Sequence, residues 1–528
     1  MTSWTLALGL AFALALPVHA QKPSKDGSDT YFQKGEIHDL RLVLAPEAEQ
    51  ALRDAPRAYA PFELWVDGRR FASGGGVKLK GAAGSYRDYD DRPALTVKLD
   101  KFDGTTLFHG LEKFHLNNAA QDPSLVSDWL GSEIFRAAGY PAVRVTHARV
   151  RLNERDMGLY VLKEGFDKRF LARWFADSKG NLYDGGFCQD LDAPLELDNG
   201  DGPSDGSDAS AIGAACGESD MVKRWRAIEP LVEIPAFVRF MALEQLCGHW
   251  DGYTTNANNY RLYFVPGGKA RFLPHGMDQL FGDPLASTLD MPTSLLGGSV
   301  MKRPEWRKLY RKELKELLPR IEPKALARKL DPVQDRIQAA LKKVEGDAAA
   351  VQREHYQALV ERIAERHNFL TDEVNAPEPK PLVFKPGVAV TIKGWRTHSE
   401  VEDARLESET DDGVEWYIVE CGPSGRCIAG FRKGVLLGRG HYKFTTTVKA
   451  DGVEALVEDG APSRGAALRI SGSTAESFLE GSGTRELSFE FEVAEEQGDV
   501  DLVLELRATA GRIRLRQDSL KLVKLGSK

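Results

Sequence analysis

Apolar and polar residues alternate along the first third of the chain in a way that predicts short strands. Apolar residues recur at about every second position, the period that places successive side chains on opposite faces of a strand. Strands are predicted at 62–66, 76–80, 95–99, 143–152 and 158–162. Between them, residues 125–138 carry apolar side chains at helical intervals and precede Gly139 and Pro141, so a helix is predicted there.

The middle of the chain changes from strand to helix. Residues 188–220 are acidic and rich in Gly and Ser, which predicts a long loop. A buried helix is predicted at 231–250 from its apolar stripe. Two short strands at 260–265 and 270–273 follow, and a charged helical region covers 304–373.

A proline-rich stretch at 376–386 is predicted to be a linker. Beyond it the pattern becomes all-β, with turn residues between short alternating segments. Strands are predicted at 416–419, 441–448, 467–470, 487–493 and 500–506. Residues 387–528 are therefore expected to form a separate β-sandwich or jelly-roll domain.

Composition narrows the class of protein. The 528 residues carry 70 Lys and Arg against 78 Asp and Glu, for a net charge of −8, so no overall positive field would gather nucleic acid. No pair among the five cysteines has zinc-ligand spacing. We expect neither a nucleic-acid partner nor a zinc module.

The start of the chain predicts export. An apolar run at 6–16 is followed by Pro17 and an A-x-A-like site ending at Ala20, the pattern of a cleaved signal peptide. The run is shorter than the roughly 20 residues that span a bilayer, and no later segment qualifies as a transmembrane segment. The mature protein is then expected in the periplasm, at the cell surface or outside the cell.

An exported chain can form disulfides, and two pairs are suggested by position. Cys188 and Cys216 bracket the acidic loop, and Cys421 and Cys427 enclose a short turn. Cys247, on an apolar helix face, is expected to be a buried free thiol.

The strongest chemical signal lies after the predicted buried helix. The segment from His249 to Asn256 has the H-x-D-x-x-x-x-N spacing of a protein-kinase catalytic loop, with Asp251 as its acidic residue. After the next hairpin, Asp278 stands where a kinase places its metal-binding Asp. Taken alone, Asp251 and Asn256 would more simply be a polar turn at a helix end, but Asp278 in the right order favours the functional interpretation.

Further candidate residues of a kinase active site lie earlier in the chain. A glycine-rich stretch contains candidates for a phosphate-approaching loop, namely Lys80, Gly81, Gly84 and Ser85. Lys98 is the candidate phosphate-pairing lysine, Glu133 its candidate ion-pair partner, and Glu164 ends the following hairpin at a hinge-like position. Lys98 and Glu133 have an equally simple interpretation as surface residues.

These motifs resemble the spore-coat protein H (CotH) kinase family of atypical protein kinases. The resemblance covers roughly residues 35–370 and rests on stretches in the family's order: 77–85, 114–118, 125–141, 151–153, 158–164, 251–260 and 274–282. It implies a kinase-like fold that uses ATP with Mg²⁺ or Mn²⁺ to phosphorylate Ser or Thr on envelope, coat or secreted proteins.

The resemblance also implies roles for single residues. Asp251 matches the catalytic-loop Asp, Asn256 and Asn259 match the asparagines that follow it, and Asp278 matches an Asp of the metal segment. The chain departs from the pattern at Gly276, where the family often has a second Asp. Lys80 stands where an Arg is common.

The expected fold class is α+β. An atypical protein-kinase-like domain at 30–375, with a helical C-terminal portion, precedes the all-β domain. The alternative function is non-enzymatic: a degenerate kinase fold that acts as a surface or envelope assembly protein, or a protein that binds polysaccharide through its C-terminal domain. Trp395, Trp416 and Tyr417 would supply a sugar-stacking platform, although a sandwich core is the favoured interpretation of these aromatics.

Overall fold

The computed structural model describes residues 27–102, 106–218, 220–290, 292–343, 347–377, 380–385, 387–458, 461–462, 465–473 and 477–526. The predicted signal peptide lies outside these residues. The chain divides into two compact units, one over residues up to 301 with 305–376, the other over 377–528 with Lys302–Pro304. Among the described helices, none has the length and apolar character needed to cross a membrane.

The helices and strands of the described chain are as follows. The helices are α1 (Ser28–Lys34), α2 (Pro46–Asp54), α3 (Ser127–Ala137), α4 (Lys168–Trp174), α5 (Ser207–Cys216), α6 (Met221–Ile228), α7 (Ile234–Leu246), α8 (Tyr253–Asn256), α9 (Leu295–Lys302), α10 (Pro304–Leu317), α11 (Pro323–Leu341) and α12 (Ala348–Asn375). Short 3-10 turns cover Leu318–Ile321 and Gln517–Ser519. The strands of the first unit are β1 (His38–Val43), β2 (Ala60–Val66), β3 (Arg69–Lys80), β4 (Ala94–Lys98), β5 (Lys113–Asn117), β6 (Val145–Leu152), β7 (Arg155–Glu164), β8 (Asn181–Asp184), β9 (Glu196–Asn199), β10 (Tyr260–Phe264) and β11 (Ala270–Pro274).

Seven strands of the first unit close into a barrel in the order β1-β2-β3-β4-β5-β7-β6, with β1 paired in parallel to β6. Alternation puts one apolar face inside: Leu95 lies opposite Leu116, and Leu116 opposite Leu162, and all three are buried. Asp67 and Gly68, both with positive φ, make the tight turn between β2 and β3. The predicted strands and hairpin of this region are confirmed.

A second core lies around α7 and a four-stranded sheet of order β11-β10-β8-β9. Helix α7 is apolar on nearly all sides, and Phe237, Phe240 and Leu243 of the predicted stripe are buried. Glu244 is the exception, a carboxylic acid with no exposed surface near the end of this helix. Its partners lie in the site described below.

The predicted long loop at 188–220 is wrong in part. It contains β9 and α5, and Ala209, Ile212 and Cys216 of α5 are buried in the core. Small residues such as Ala and Ser pack a helix closely without producing the strong apolar period that the sequence prediction depended on.

The described residues of the second unit from 377 onward form strands and one 3-10 turn. Its strands are β12 (Val390–Thr391), β13 (Arg396–Ser399), β14 (Arg405–Asp411), β15 (Val414–Glu420), β16 (Cys427–Ala455), β17 (Val457–Glu458), β18 (Ala461–Pro462), β19 (Gly465–Ile470), β20 (Ser477–Leu479), β21 (Gly481–Arg516) and β22 (Lys521–Lys524). The two long strands β16 and β21 pair along most of their length, with Phe431 opposite Leu504 and Phe444 opposite Phe489. Several predicted strands are therefore portions of two long ones.

Trp395 and Tyr417 favour the core interpretation, whereas Trp416 lies outside the cluster of core residues. Trp395 is 9% exposed, stacks on Phe444 at 5.7 Å between ring centroids, and donates its indole N–H to the Ile392 carbonyl. Tyr417 lies against Phe431, with ring centroids 4.5 Å apart. The half-buried Trp416 carries the Arg514 guanidinium over its ring at 4.9 Å.

The two predicted disulfides are not formed, because all five cysteines are free thiols. Cys216 is buried in the core whereas Cys188 is exposed. Cys421 and Cys427 are hydrogen-bonded neighbours, and that bond lowers the pKa of Cys421. Cys247 is a buried free thiol, as predicted, and burial raises its pKa.

Candidate active site

A cleft of about 340 Å³ opens in the first unit between the loop after β3 and the loop after α7. Six of the sequence-predicted residues line it: Lys80, Gly81, Ser85, Asp251, Asn259 and Asp278. Its walls carry six Lys or Arg side chains and five carboxylates, so the cleft suits a charged ligand. The structure thus brings together two segments that lie far apart along the chain.

Asp251 is held by a ring of amides. Its Oδ1 accepts hydrogen bonds from Asn256 Nδ2 at 2.9 Å and Asn258 Nδ2 at 3.0 Å, and its Oδ2 accepts one from Asn259 Nδ2 at 2.7 Å. A carboxylate offers about four acceptor positions. Three are used, so one position on Oδ2 remains for an incoming hydroxyl.

Glu244 fixes the short helix of this loop from behind. Its carboxylate accepts hydrogen bonds from the backbone N–H of Tyr253 at 3.0 Å and of Thr254 at 2.9 Å, and from Thr254 Oγ1 at 2.5 Å. It thereby satisfies amides at the start of α8 that have no partner within the helix. Burial raises the pKa of Glu244 to about 7, although these donors oppose the rise.

The glycine-rich loop is held by its own turn. Ser85 Oγ accepts from the Ala82 N–H at 3.2 Å, and Asn118 Nδ2 donates to the Ser85 carbonyl at 3.1 Å. Gly84 has a φ of 82°, a left-handed conformation that favours glycine, and a Cβ there would also lie 2.6 Å from Gln121 Nε2. The loop brings backbone close to the cleft without a side chain in between.

Lys80 supplies the cleft with a free ammonium. Among the described residues nothing accepts a hydrogen bond from it, and it lies near Lys163, Asp128 and Asp278. Burial, with the neighbouring Lys163 charge, lowers the pKa of Lys80 to about 8. Lys80 therefore has an ammonium available for an anionic ligand in the cleft.

A buried ion pair supports this wall. Lys163 Nζ of β7 lies 2.5 Å from Asp128 Oδ1 of α3, and both side chains are at most 2% exposed. Asn117 Nδ2 lies within reach of both Asp128 Oδ2 at 3.3 Å and Asp278 Oδ2 at 3.4 Å. Through Asn117, the Lys163–Asp128 pair therefore connects α3 with Asp278 in the segment after β11.

The predicted metal-holding residues differ in the oxygens they leave free. Asn259 Oδ1 accepts no hydrogen bond from the described residues, and Asp278 accepts only the long one from Asn117. Both line the cleft, whereas Asn256, which like Asn259 donates its amide N–H to Asp251, does not. No group of three His, Cys, Asp or Glu with metal-ligand geometry occurs in the described chain. One carboxylate and one amide oxygen fit a divalent ion whose other ligands are phosphate oxygens and water.

Comparison with known proteins identifies the family. The family model described as CotH kinase protein matches residues 77–370, which run from β3 to α12 and include every part of this cleft named above. The chain belongs to the CotH kinase protein family.

Curated members of the family are only distantly similar. Invasin CotH3 of Rhizopus delemar is 28% identical over 196 residues, 33% of this chain and 32% of that protein. Spore coat protein homolog 1 of the same organism is 24% identical over 183 residues, 32% of this chain and 30% of that protein. The chain thus spans about a third of the length of the curated relatives it matches.

Solved structures give weaker similarities. A CBM4 module is 18% identical, with a TM-score of 0.17 over 23% of this chain and 77% of that one. A xylan-binding domain of CBM 22 is 10% identical, with a TM-score of 0.18 over 25% of this chain and 88% of that one. At scores this low we draw nothing from them about fold or ligand.

Within the CotH domain, five predicted site residues do not line the cleft: Gly84, Asn256, Lys98, Glu133 and Glu164. The last three have other partners. Lys98 does not line the cleft and pairs with Asp100 at 3.7 Å, while Glu133 pairs with Lys329 at 2.6 Å. The predicted Lys98–Glu133 pair is therefore wrong. Glu164 is 2% exposed and binds two arginines, so its carboxylate is structural.

Those arginines are Arg144, whose guanidinium donates to Glu164 Oε1 at 2.7 Å, and Arg173, which donates to Oε2. Burial alone would raise the pKa of Glu164, but Arg173 and Arg144 together lower it. Glu164, predicted at a hinge-like position, is therefore part of a buried cluster of ion pairs.

Sequence reasoning missed Lys163, Asp128 and Glu244. Lys163 is adjacent to Glu164 in a motif singled out above, and the two point to opposite faces of β7 because side chains alternate along a strand. A signal for Glu244 did exist, since an acid within an otherwise apolar helix needs a partner. Nothing in the sequence named that partner.

Proposed function

We propose that the CotH domain binds ATP in the cleft and transfers its γ-phosphoryl group to a Ser or Thr hydroxyl of a protein acceptor. The observation that carries this proposal is that Lys80, Asp251 and Asp278 line one cleft in a member of the CotH kinase protein family. Phosphoryl transfer needs positioned charges more than covalent chemistry, and this cleft supplies them.

Each residue then has a role in the reaction. Lys80 and the backbone of the glycine-rich loop bind and orient the phosphates. Asp251 Oδ2 accepts the hydrogen bond of the acceptor hydroxyl and takes its proton as the hydroxyl oxygen bonds to the γ-phosphorus. The bond from the γ-phosphorus to the bridging oxygen breaks, and ADP leaves with that electron pair.

Asn259 and Asp278 would hold Mg²⁺ or Mn²⁺, and Asn256, whose amide oxygen accepts nothing from the described residues, could join them. When bound, such an ion neutralises charge on the phosphate oxygens. Asn117 and the Lys163–Asp128 pair keep Asp278 in its place. Positioning of the ion thus depends on α3 as well as on the residues that would touch it.

We infer an exported protein whose acceptors are envelope, coat or secreted proteins. The support is the sequence pattern at the start of the chain and the names of the relatives, which are a spore coat protein homolog and an invasin. Polysaccharide binding by the second unit stays a prediction. If it occurs, Trp416 and Tyr417, which are partly exposed, are better placed for it than the buried Trp395.

The alternative is a surface or assembly protein with a kinase-like cleft that does not transfer phosphate. Gly276 favours it, because the cleft has Asp278 but no second carboxylate at that position. The free position on Asp251 and the free ammonium of Lys80 favour transfer. The two functions differ in one measurable reaction.

The test is transfer of radiolabelled γ-phosphate from ATP to generic and envelope proteins, with Mg²⁺ and with Mn²⁺. We expect incorporation by the wild type and a loss of about 100-fold or more in Asp251→Asn, the usual effect of removing a positioned base. Asp290→Asn, an exposed acid outside the cleft, is the matched control and should keep full activity. Absence of incorporation by the wild type with either metal would support the non-enzymatic alternative.

A further inference from the structure

A second cavity, of about 300 Å³, lies beside helix α3 of the CotH domain. Helix α3 gives Asp128 to the ion pair with Lys163, while Trp129, Glu133 and Arg136 of the same helix line this other cavity. Helix α11 forms the facing wall with Arg328 and Arg336. None of these lining residues belongs to the cleft described above.

The lining of this cavity is strongly basic. Five cationic side chains face two carboxylates. Both carboxylates are already engaged: Asp29 binds Arg144 at 2.6 Å, and Glu133 binds Lys329 at 2.6 Å. The positive charge of the α11 arginines is therefore left without a neutralising acid in the cavity.

Arg336 is the residue that shows most clearly the excess of positive charge in this cavity. It is half-buried, and among the described residues none accepts a hydrogen bond from its guanidinium or forms an ion pair with it. Its guanidinium lies against Gly35, where a Cβ would be 2.7 Å from Nη2, so its position is confined. Burial alone lowers its pKa, with no neighbouring carboxylate to oppose the change. Burying a cation without a partner is costly unless something anionic binds to it.

The arginines of α11 are placed to act together. Arg328 and Arg336 are eight residues apart on one helix, with Pro332 between them also lining the cavity, so all three lie on one face. Guanidinium groups present a fixed fork of N–H donors that matches the oxygens of a phosphate. The volume of this cavity is large enough for a ligand far larger than a water molecule.

We propose that this cavity binds a phosphate group, held by Arg328 and Arg336 of α11 together with Arg136 of α3. The group comes either from free inorganic phosphate or from a phosphorylated serine side chain. Because α3 lies between this cavity and the Lys163–Asp128 pair, the ligand would contact the helix that supports the cleft. The proposal does not depend on phosphoryl transfer at the cleft.

The test is calorimetric titration of the full chain with inorganic phosphate and, separately, with phosphoserine at constant ionic strength. The paired substitutions Arg328→Gln and Arg336→Gln should weaken binding at least roughly tenfold, since hydrogen bonds to charged groups contribute that much or more. Arg320→Gln, an exposed arginine outside the cavity, is the matched control and should bind as the wild type does.

A further variant separates the two basic sites. Lys80→Met removes the free ammonium of the cleft, so phosphate binding that survives it while failing in the paired Arg variant belongs to this cavity. Tighter binding of phosphoserine would identify a phosphorylated side chain as the ligand, and equal or weaker binding would identify free phosphate. Binding lost in Lys80→Met but kept in the paired Arg variant would overturn the proposal. So would the lack of saturable binding by the wild type up to about 20 mM of either probe, a concentration that detects even millimolar affinity.

Discussion

Gly276 shows how one residue both departs from the family pattern and fits its place. Its φ is 52°, and a Cβ there would lie 2.1 Å from Asn259 Oδ1, far inside van der Waals contact. An Asp at this position would therefore displace Asn259, one of the three amides on Asp251. The absence of a side chain at position 276 therefore leaves room for Asn259 to lie where it binds Asp251.

We predict that Gly276→Ala loses both stability and function at the cleft. Gly267, in the turn between β10 and β11, offers a matched control, because its φ of 63° is similar but nothing lies within 4 Å of its added Cβ. Gly267→Ala should lower the free energy of unfolding by about 1 kcal/mol through backbone strain alone. Gly276→Ala should lose clearly more in urea unfolding, and should also lose ATP affinity. Equal losses in both variants would show that the contact with Asn259 is unimportant.

Glu244 gives a prediction about pH. Its pKa is raised from 4.5 to about 7 by burial, so between these values the folded protein holds a proton that the unfolded chain has released. The free energy of unfolding should then fall as pH rises through this window and stay level above it. Relative to Glu244→Gln, which cannot titrate, the wild type should lose roughly 3 kcal/mol between pH 4.5 and 8.

The measurement is urea unfolding of both proteins at several pH values. The difference between them isolates Glu244 from Asp122 and Asp167, whose pKa values burial also raises to about 6. A difference that does not vary with pH would contradict the assignment.

At the scale of elements, the sequence predicted what is periodic. Five of the seven barrel strands, α3, α7 and the hairpin of β10 and β11 follow from the sequence pattern, because a period of two or 3.6 is visible in a single sequence. The sequence analysis does not predict β1 and β5. The order of Asp251 and Asp278 was visible for the same reason, since both flank recognised elements. Contacts between side chains of distant elements leave no such pattern in the sequence. The sequence analysis therefore predicts a Lys98–Glu133 pair, whereas the structure contains a Lys163–Asp128 pair.

The Lys163–Asp128 pair predicts a large effect of one small change. Asp128→Asn keeps the shape but leaves the Lys163 ammonium buried without its counter-ion, which should cost about 3–5 kcal/mol in urea unfolding. Glu63→Gln removes one partner of the exposed pair between Glu63 and Arg70 on the same barrel, and should cost less than about 1 kcal/mol. Comparable losses would mean that the buried pair does not hold α3 to β7.

At the scale of the molecule, each unit has its own apolar core. The clusters of buried residues in the first unit contain no residue beyond 374, and that of the second unit begins at Leu382, within the described chain. The change in residue pattern near 376 marks the same boundary in the sequence. What the sequence did not reveal is that the first unit contains a closed barrel, because closure depends on β1 meeting β6, two strands that are distant along the chain.

In the proposed reaction, Lys80 and not Lys98 is the cation that receives the phosphates. The most direct measurement is therefore γ-phosphate transfer by the wild type, Lys80→Met and Lys98→Met under the same conditions. We expect kcat/KM to fall by about 100-fold or more in Lys80→Met, because a charge aimed at the phosphates is lost. Lys98→Met, which loses only the outlying pair with Asp100, should stay within about twofold of the wild type. A large loss in Lys98→Met with full activity in Lys80→Met would contradict the site described here.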